Sequence, residues 1–319
     1  MPNLALASYF AQEQKIFDVD LQGLSLIECI ERFQEFKLKI SEKASRSYEC
    51  LKKHVRDLEA EYKVTILPQH ITDVFWVRFI PTLQSKKLKP SYITCLCYQM
   101  RSLLNWCSKH NAIVSSTYGD FNAPQGKVMR LALTADDVSW IYHFDINTTS
   151  FRPQKKKTLE KVRDMFVLSC NLGQRHSDMI RISRDNFDRS TFKIVQKKTG
   201  NTAVVDIERL SIDKKTTYEI LEKYNYEAPY KSDISHYERH LKSLFKSIGG
   251  FNGTVKVEYK INGVLFTEER RKCDLISAHD SRRTFASINR FRGIPLLEIM
   301  NGTGHKTESS FNLYCVKND

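Results

Sequence analysis

The sequence lacks the segments that mark membrane and secreted proteins. No run of 18 apolar residues occurs in its 319 residues, and about that length is needed for a helix to cross a bilayer. Its first residues, MPNLALASYFAQEQ, contain neither the positively charged start nor the apolar centre of a signal peptide. We therefore expect a soluble, cytoplasmic protein with no membrane partner.

Cysteine pairs of the metal-binding kind are also missing. The eight cysteines are scattered through the chain, and none forms a Cys-x-x-Cys pair. This pattern argues against a zinc site and is typical of a reducing compartment. No internal repeat or low-complexity segment is visible. We expect no metal and no cofactor.

Acidic residues are outnumbered. The chain has 50 Lys and Arg against 37 Asp and Glu, which gives a net charge of +13 and a pI near 9.3. A surplus of this size favours a polyanionic partner, and nucleic acid is the commonest one for a basic protein of this class. A basic surface without a partner is the alternative at this point.

The length suffices for two domains, each with its own core. We predict an N-terminal arm at 1–23, a helical domain at 24–116, a linker at 117–127 and a second domain at 128–319. In the helical domain, apolar residues recur at helical spacing in four segments that begin near residues 24, 48, 72 and 90. Ser25 and Glu28 predict a capping box at the start of the first segment. Its candidate phosphate contacts, which can equally be a solvated face, are Lys52, Lys53, Arg56, Lys86, Lys87, Lys89 and Arg101.

The second domain mixes helices with short strands. Thr134 is placed to cap a helix, residues 152–157 are expected to form a basic loop, and a buried helix is expected over 158–171. Alternating residues at 192–196 and 203–207 predict a hairpin, and Asn262-Gly263 predicts a second one. Further helices are expected at 211–224, at 236–247 and in the C-terminal segment, where one should run through Met300 and the last should begin at Thr307 and carry Tyr314. The fold class is therefore mainly α with a small antiparallel β-sheet (α+β).

The most informative stretch is HDSRRTFASINRFRGIPLLEIMNGTGHKTESSFNLY, from His279 to Tyr314. It contains His-x-x-Arg, a Gly-His pair and then a tyrosine, which is the set needed by a phosphate site with its own nucleophile. A tyrosine hydroxyl has an ordinary pKa of about 10, so its deprotonation at pH 7 costs roughly 4 kcal/mol. Guanidinium groups that fork onto phosphate oxygens offset this cost and stabilise the charge of the transition state.

This order of residues resembles the C-terminal signature of the tyrosine recombinase (phage integrase) family. Two upstream segments extend the resemblance. LSCNLGQRHSDMIRIS contains Arg175, at the place of the family's first arginine, and TFKIVQKKTGNTAVVDI contains Lys198 in a Lys-Thr-Gly turn. Gln174 and Thr303 stand where the family usually has leucine. The resemblance implies that the helical domain is the family's DNA core-binding domain and that residues 128–319 are its catalytic domain.

The resemblance also implies a role for each residue. Tyr314 is expected to be the nucleophile and His279 to assist its proton transfer. Arg175 and Arg282 are expected to clamp the phosphate, with a hydrogen bond from His305. Lys198 is expected to be the general acid, with Lys197 as the alternative. Taken singly, each of these residues has an ordinary structural explanation, and only the ordered set of six carries the prediction.

The implied activity is site-specific DNA recombination through a 3′-phosphotyrosyl intermediate, leading to integration, excision or inversion. The expected partner is double-stranded DNA with inverted-repeat core sites, bound by a homotetramer whose subunits are monomers when free. The short segment after Tyr314 argues against subunit exchange through a long C-terminal tail. The lack of room before Leu24 for the arm-binding domain of the larger integrases argues for a simpler recombinase or invertase, or for a truncated chain. A type IB topoisomerase and a non-catalytic DNA-binding regulator with the same fold are the alternatives.

Overall fold

The computed structural model describes residues 20–86, 88, 90–121, 131–261, 264–312, 314 and 315, with the side chains of 259–261 and 264–266 left out. The chain divides into two compact units, residues 1–127 with 258–266 and residues 128–257 with 267–319. Most of the predicted arm, most of the predicted linker, Lys87, Lys89 and the Asn262-Gly263 turn lie outside the described residues.

The first unit is helical. Its helices are α1 (Leu26–Ile40), α2 (Glu42–Arg46), α3 (Glu49–Tyr62), α4 (Asp73–Ser85) and α5 (Pro90–Cys107). Ser25 caps α1 as predicted, because its Oγ accepts from Glu28 N while its own N donates to Glu28 Oε2 at 2.8 Å. The predicted apolar stripes form the core: Leu51, Val55 and Leu58 of α3, and Ile93, Leu96, Cys97, Met100, Leu103, Leu104 and Cys107 of α5.

Several basic residues of this unit are engaged within the chain. Lys52 lies 3.1 Å from Glu49, Arg56 lies 3.0 Å from Glu31, and Lys86 lies 2.8 Å from Asp57. Arg101 donates to Gly119 O and stacks over the ring of Phe121. These pairings favour a structural use of the four residues, so they are weaker candidates for phosphate contacts than the sequence suggested.

The second unit is built around a long helix. Its helices before the C-terminal segment are α6 (Ala135–His143), α7 (Pro153–Leu172), α8 (His176–Met179), α9 (Ile207–Leu210), α10 (Lys214–Lys223), α11 (Ile234–Ser247) and α12 (Lys272–Leu275). Helix α7 packs against α6, α10 and α11. Its predicted inward residues, Leu159, Val162, Phe166 and Cys170, are fully buried.

The prediction of a basic loop over 152–157 is wrong, because α7 already begins at Pro153. Proline suits the first helical position, where its fixed φ is helical and its missing N–H has no partner to lose. The helix predicted over 211–224 is shorter, Lys214–Lys223, because Asp213 accepts from Thr216 N and starts α10. The short helix α9 before it was not predicted.

The small sheet has the order β1-β2-β3. Strands β2 (Thr191–Val195) and β3 (Thr202–Asp206) are antiparallel, with Phe192 opposite Val205 and Val195 opposite Thr202. Strand β1 (Phe187–Asp188) was not predicted. A second pair, β4 (Thr254–Ile261) and β5 (Val264–Arg271), flanks the predicted Asn-Gly turn. The predicted fold class, mainly α with a small antiparallel sheet, is confirmed.

Three helices make up the C-terminal segment: α13 (Ala278–Phe291), α14 (Leu296–Thr303) and α15 (Glu308–Asn312). Helix α14 runs to Thr303 rather than to Met300, and Gly304 ends it in the left-handed region (φ +66°). The expectation that the last helix carries Tyr314 is wrong. Tyr314 lies in a turn, and its backbone N–H donates to Phe311 O at 2.7 Å. No helix among the described residues is long and apolar enough to span a bilayer.

Candidate active site

Arg175 is placed by the end of the buried helix α7. Gly173 closes the helix with a φ of +66°, and a Cβ there would lie 2.5 Å from the ring of Phe285 in α13. Only glycine allows this close approach of the two helices. Two residues later, Arg175 is half-buried, and its Nη1 donates to Gln196 Oε1 at 2.7 Å.

The first turn of α13 supplies the next two side chains. A capping box between Ser277 and Asp280 starts the helix, and His279 and Arg282 lie one turn apart on one face. Arg282 is fully buried; Nη1 donates to Gly173 O at 2.9 Å and Nη2 donates to Thr303 O. Burial, followed by the nearby charge of Arg175, lowers the pKa of Arg282 to about 9. Arg282 therefore remains a cation at neutral pH.

His305 follows the glycine that ends α14. Its Nδ1 lies 2.8 Å from Thr303 Oγ1, and its Nε2 lies 3.5 Å from Arg282 Nη2. Burial and the charges of Arg282 and Arg175 lower the pKa of His305 to about 3. The imidazole is therefore neutral in the free protein, and Thr303 fixes its orientation.

Tyr314 contacts both histidines. Its Oη lies 2.8 Å from His279 Nε2, and its ring lies 4.6 Å from the ring of His305, centroid to centroid. The Cζ atom of Arg282 is 5.5 Å from the centroid of the tyrosine ring. Burial and the charges of Arg283, Arg282, Arg175 and Lys198 lower the pKa of His279 to about 4. A neutral imidazole therefore faces the tyrosine hydroxyl.

Lys198 lies in the turn between β2 and β3, where Gly200 has a φ of +66°. Its side chain is exposed and makes no hydrogen bond to the described residues. Its charge contributes to the lowered pKa of His279, which puts the ammonium group within electrostatic range of that imidazole. The neighbouring Lys197 is exposed too, while its backbone N donates to Asp178 Oδ1 at 2.8 Å.

The structure thus brings five of the six predicted residues into one cluster: Arg175, His279, Arg282, His305 and Tyr314. Lys198 stands beside the cluster without a direct contact. Among the described residues, no group of three or more His, Cys, Asp or Glu side chains is arranged to hold a metal ion. The permanent cations of the cluster are the guanidinium groups of Arg175 and Arg282.

Sequence reasoning missed the polar residues that support this cluster. These residues are Gln174, Asp178, Gln196 and Thr303, and all four are buried. Gln196 bonds to Arg175, and Thr303 bonds to Arg282 and His305. Gln174 and Asp178 bond to neighbours of the cluster, Gln196 and Lys197. A signal was present for Gln196, because it has the same strand parity as the inward residues Phe192 and Ile194. A polar residue at an inward position needs a partner.

The acidic member of this group, Asp178, holds the hairpin near Arg175. Its carboxylate is fully buried, and Oδ1 accepts from Lys197 N and from Arg181 Nη1 at 3.3 Å. Arg181 also donates to Val195 O at 3.1 Å. These bonds join Val195, the last residue of β2, and Lys197 to the segment that contains α8.

No family model matches the chain, and no curated protein sequence matches it. Solved structures do. A lambda integrase dimer bound to a COC′ core site matches with a TM-score of 0.67 at 17% identity, covering 92% of this chain and 96% of that one. A lambda integrase tetramer bound to a Holliday junction gives 0.65 at 16%, covering 92% and 78%.

A third structure has a different origin. The Tn1549 transposon integrase in complex with transposon right end DNA matches with a TM-score of 0.62 at 12% identity, covering 93% of this chain and 96% of that one. These matches extend over both units of the chain, and identities this low establish the fold alone. The chain therefore has the fold of the tyrosine recombinases, as the order of its C-terminal motifs predicted.

Proposed function

We propose that this chain is a site-specific DNA recombinase that cleaves and rejoins DNA strands through Tyr314. The observation that carries the proposal is the 2.8 Å contact between Tyr314 Oη and His279 Nε2, beside the buried cation of Arg282. A hydroxyl next to a neutral imidazole and a guanidinium has both a proton acceptor and a site for the phosphate it attacks.

In the cleavage step, Tyr314 Oη attacks the scissile phosphorus and forms a 3′-phosphotyrosyl ester. His279 Nε2 accepts the tyrosine proton. Arg175 and Arg282 bind the non-bridging oxygens, whose negative charge increases in the transition state. Lys198 protonates the leaving 5′ oxygen, with Lys197 as the alternative donor. Attack by the 5′ hydroxyl of a second strand reverses these steps. The phosphotyrosyl ester retains the free energy of the broken phosphodiester bond, so no nucleotide cofactor is needed.

His305 needs a specific tautomer to take part. Its Nδ1 lies 2.8 Å from Thr303 Oγ1, which also lies 2.8 Å from Ile299 O and can donate its single proton there. Nδ1–H then donates to Thr303, and Nε2 faces Arg282 with its lone pair. Donation from Nε2 to a phosphate therefore follows when the phosphate arrives and raises the proton affinity of this nitrogen.

The partner we propose is double-stranded DNA with inverted-repeat core sites. The net charge of +13 supports a polyanionic partner, and the similar structures are complexes with DNA. The tetramer of lambda integrase on a Holliday junction supports a homotetramer here as well. Residues 24–116 supply the helical core-binding domain in this proposal, and residues 128–319 the catalytic domain.

A nicked suicide duplex tests the proposal. DNA that binds the protein is first selected from a randomised pool, and a nick is then placed beside the site so that the released fragment diffuses away. We expect a protein-DNA adduct that survives denaturation and is absent in Tyr314→Phe. Specific binding by the unsubstituted protein without any adduct would identify a non-catalytic regulator.

A plasmid assay separates the remaining alternative. A type IB topoisomerase relaxes supercoiled plasmids of any sequence, whereas a recombinase acts only on plasmids that carry its site. We expect relaxation and recombination only with the selected site present. Equal relaxation of a plasmid without that site would favour the topoisomerase.

A further inference from the structure

The side chain of Gln196 lies at the centre of a buried hydrogen-bond network. Its Oε1 accepts from Arg175 Nη1 at 2.7 Å and from Thr199 Oγ1 at 3.1 Å. Its Nε2 donates to Gln174 Oε1 at 3.0 Å and to Thr303 O at 2.9 Å. Both donor hydrogens and both acceptor positions are therefore used.

This amide links the two guanidinium groups of the cluster. It binds Arg175 directly, and it shares the acceptor Thr303 O with Arg282 Nη2. A displacement of the Gln196 amide therefore moves the hydrogen-bond partner of Arg175. It also disturbs Thr303 O, which accepts from Arg282. The positions of the two cations relative to each other depend on one side chain.

Gln196 is also held tightly against the Gly-His turn. A Cβ added at Gly304 would lie 2.7 Å from Gln196 Oε1 and 2.8 Å from Nε2, so only a glycine leaves room for the amide. On the opposite side, Gln174 Nε2 donates to Leu172 O and Gly302 O, both at 2.7 Å. The amide has no free volume in which to rotate, and it can orient Arg175 rigidly.

The neutrality of the amide matters for the chemistry. Arg175 and Arg282 are close enough that the charge of Arg175 lowers the pKa of Arg282, after burial as the larger cause. A carboxylate in place of the amide would hold Arg175 equally well but would cancel its charge. An amide orients the cation and leaves its whole charge for the phosphate.

We propose that Gln196 is a positioning residue that sets the geometry of both guanidinium groups and does not reduce their charge. This inference rests on the proposed function, since it assigns Gln196 to the phosphate site of the cleavage reaction. Gln196 itself touches no reacting atom.

A matched pair of substitutions tests the proposal. Gln196→Met and Gln174→Met each replace a buried amide of the same network by an apolar chain of similar length. Of the two side-chain amides, only that of Gln196 hydrogen-bonds to the Arg175 guanidinium. We expect DNA affinity to be retained in both and cleavage of the suicide duplex to fall by about a hundredfold in Gln196→Met, the scale of a misplaced catalytic group.

The cleavage rates of the two variants are compared after the Tm of each has been measured. Both variants lose buried hydrogen bonds, so both should show a lowered Tm. If cleavage falls equally in the two variants once they are compared at equal folded fraction, the network is merely structural and the proposal is overturned. Adduct formation by the unsubstituted protein in the same assay shows that the proposed function holds whatever the outcome for Gln196.

A charge substitution provides the second readout. Gln196→Glu keeps the shape of the side chain and adds a negative charge beside Arg175. We expect slower cleavage than in Gln196→Met on normal DNA, and a smaller difference between the two on DNA with a methylphosphonate at the scissile position. That substrate lacks one negative charge, so it depends less on the cation. An unchanged difference on the two substrates would contradict the charge argument.

Discussion

Tyr314 Oη and His279 Nε2 lie 2.8 Å apart, so the nucleophile of the proposed reaction already contacts its proton acceptor in the free protein. Both residues belong to the same chain, and His279 is kept neutral because burial and surrounding cations lower its pKa to about 4. Arg175 and Arg282, which we propose to bind the phosphate, thus also keep the imidazole of His279 in the neutral form that can accept a proton.

Replacement of His279 should slow cleavage and spare DNA binding. His279→Asn removes the acceptor for the tyrosine proton, and general-base contributions are typically about 10²- to 10⁴-fold. Single-turnover adduct formation measures the loss. His143→Asn, at an exposed histidine of α6, is the control and should cleave at the unsubstituted rate. A normal rate in His279→Asn would remove this residue from proton transfer.

The two half-buried histidines of the cluster, His279 and His305, should make stability fall in acid. The pKa values of His279 and His305 in the folded protein are lowered to about 4 and about 3, mainly by burial, whereas unfolded histidine titrates near its ordinary value of about 6.5. Between these limits the unfolded chain binds more protons, so the free energy of unfolding decreases as the pH falls through this window.

Thermal unfolding across this pH range checks the expectation. Tm should fall between pH 7 and pH 4 in the unsubstituted protein, and it should fall less in a variant with asparagine at both His279 and His305. Identical pH profiles for the two proteins would show that these imidazoles titrate normally.

Lys198 should be dispensable when the leaving group needs no proton. Lys198→Ala is expected to cleave normal DNA slowly, because the 5′ oxygen leaves poorly without a general acid. A 5′ bridging sulfur leaves as a stable thiolate, so a phosphorothiolate substrate should restore the rate. Lys197→Ala is the control and should behave like the unsubstituted protein on both substrates. If rescue appears in Lys197→Ala instead, the general acid is Lys197.

The two arginines should differ in their effect on stability. Arg282→Ala leaves the carbonyl oxygen of Gly173 without this donor, and a buried polar group without a partner costs about 1–3 kcal/mol. Thr303 O loses one of its two donors and keeps Gln196 Nε2. Arg175 is half-buried and donates to the side chain of Gln196, so Arg175→Ala should lower Tm less. Both variants should lose cleavage and keep specific binding. Strong cleavage by either one would exclude that arginine from the phosphate site.

Two glycines with the same φ should respond differently to alanine. Gly304 and Gly200 both have a φ of +66°, so alanine is strained at each. At Gly304 the new methyl group would also displace the Gln196 amide, whereas nothing lies within 4 Å at Gly200. Gly304→Ala should therefore lower both Tm and cleavage rate more than Gly200→Ala, as measured by thermal unfolding and adduct formation.

Much of the fold was predictable because helical periodicity and capping residues act locally. Ser25, Thr134 and the apolar stripes of α5 and α7 gave the right element types and buried faces. The errors lie at boundaries, where a single residue decides: Pro153 extends α7 backwards, and Asp213 starts a new helix.

The site was predictable only in part for a different reason. The order of Arg175, Lys198, His279, Arg282, His305 and Tyr314 is a sequence property, but the bonds that orient them join residues far apart in the chain. Gln196 bonds to Thr303 and Gln174 to Gly302, over separations of more than a hundred residues. Both glutamines lie in the segments that carry the family resemblance, but nothing short-range identifies their hydrogen-bond partners.

The buried charge of Arg282 has no counter-ion within the described part of the second unit. Among residues 131–315, as far as they are described, no carboxylate lies within ion-pair distance of this guanidinium, and its two carbonyl acceptors supply dipoles without a net negative charge. The positive charge of Arg282 is therefore not neutralised by an ion pair with these residues. In the proposed reaction a DNA phosphate supplies this anion, and its attraction to Arg282 is greatest in the transition state, where the phosphorus carries a fifth oxygen.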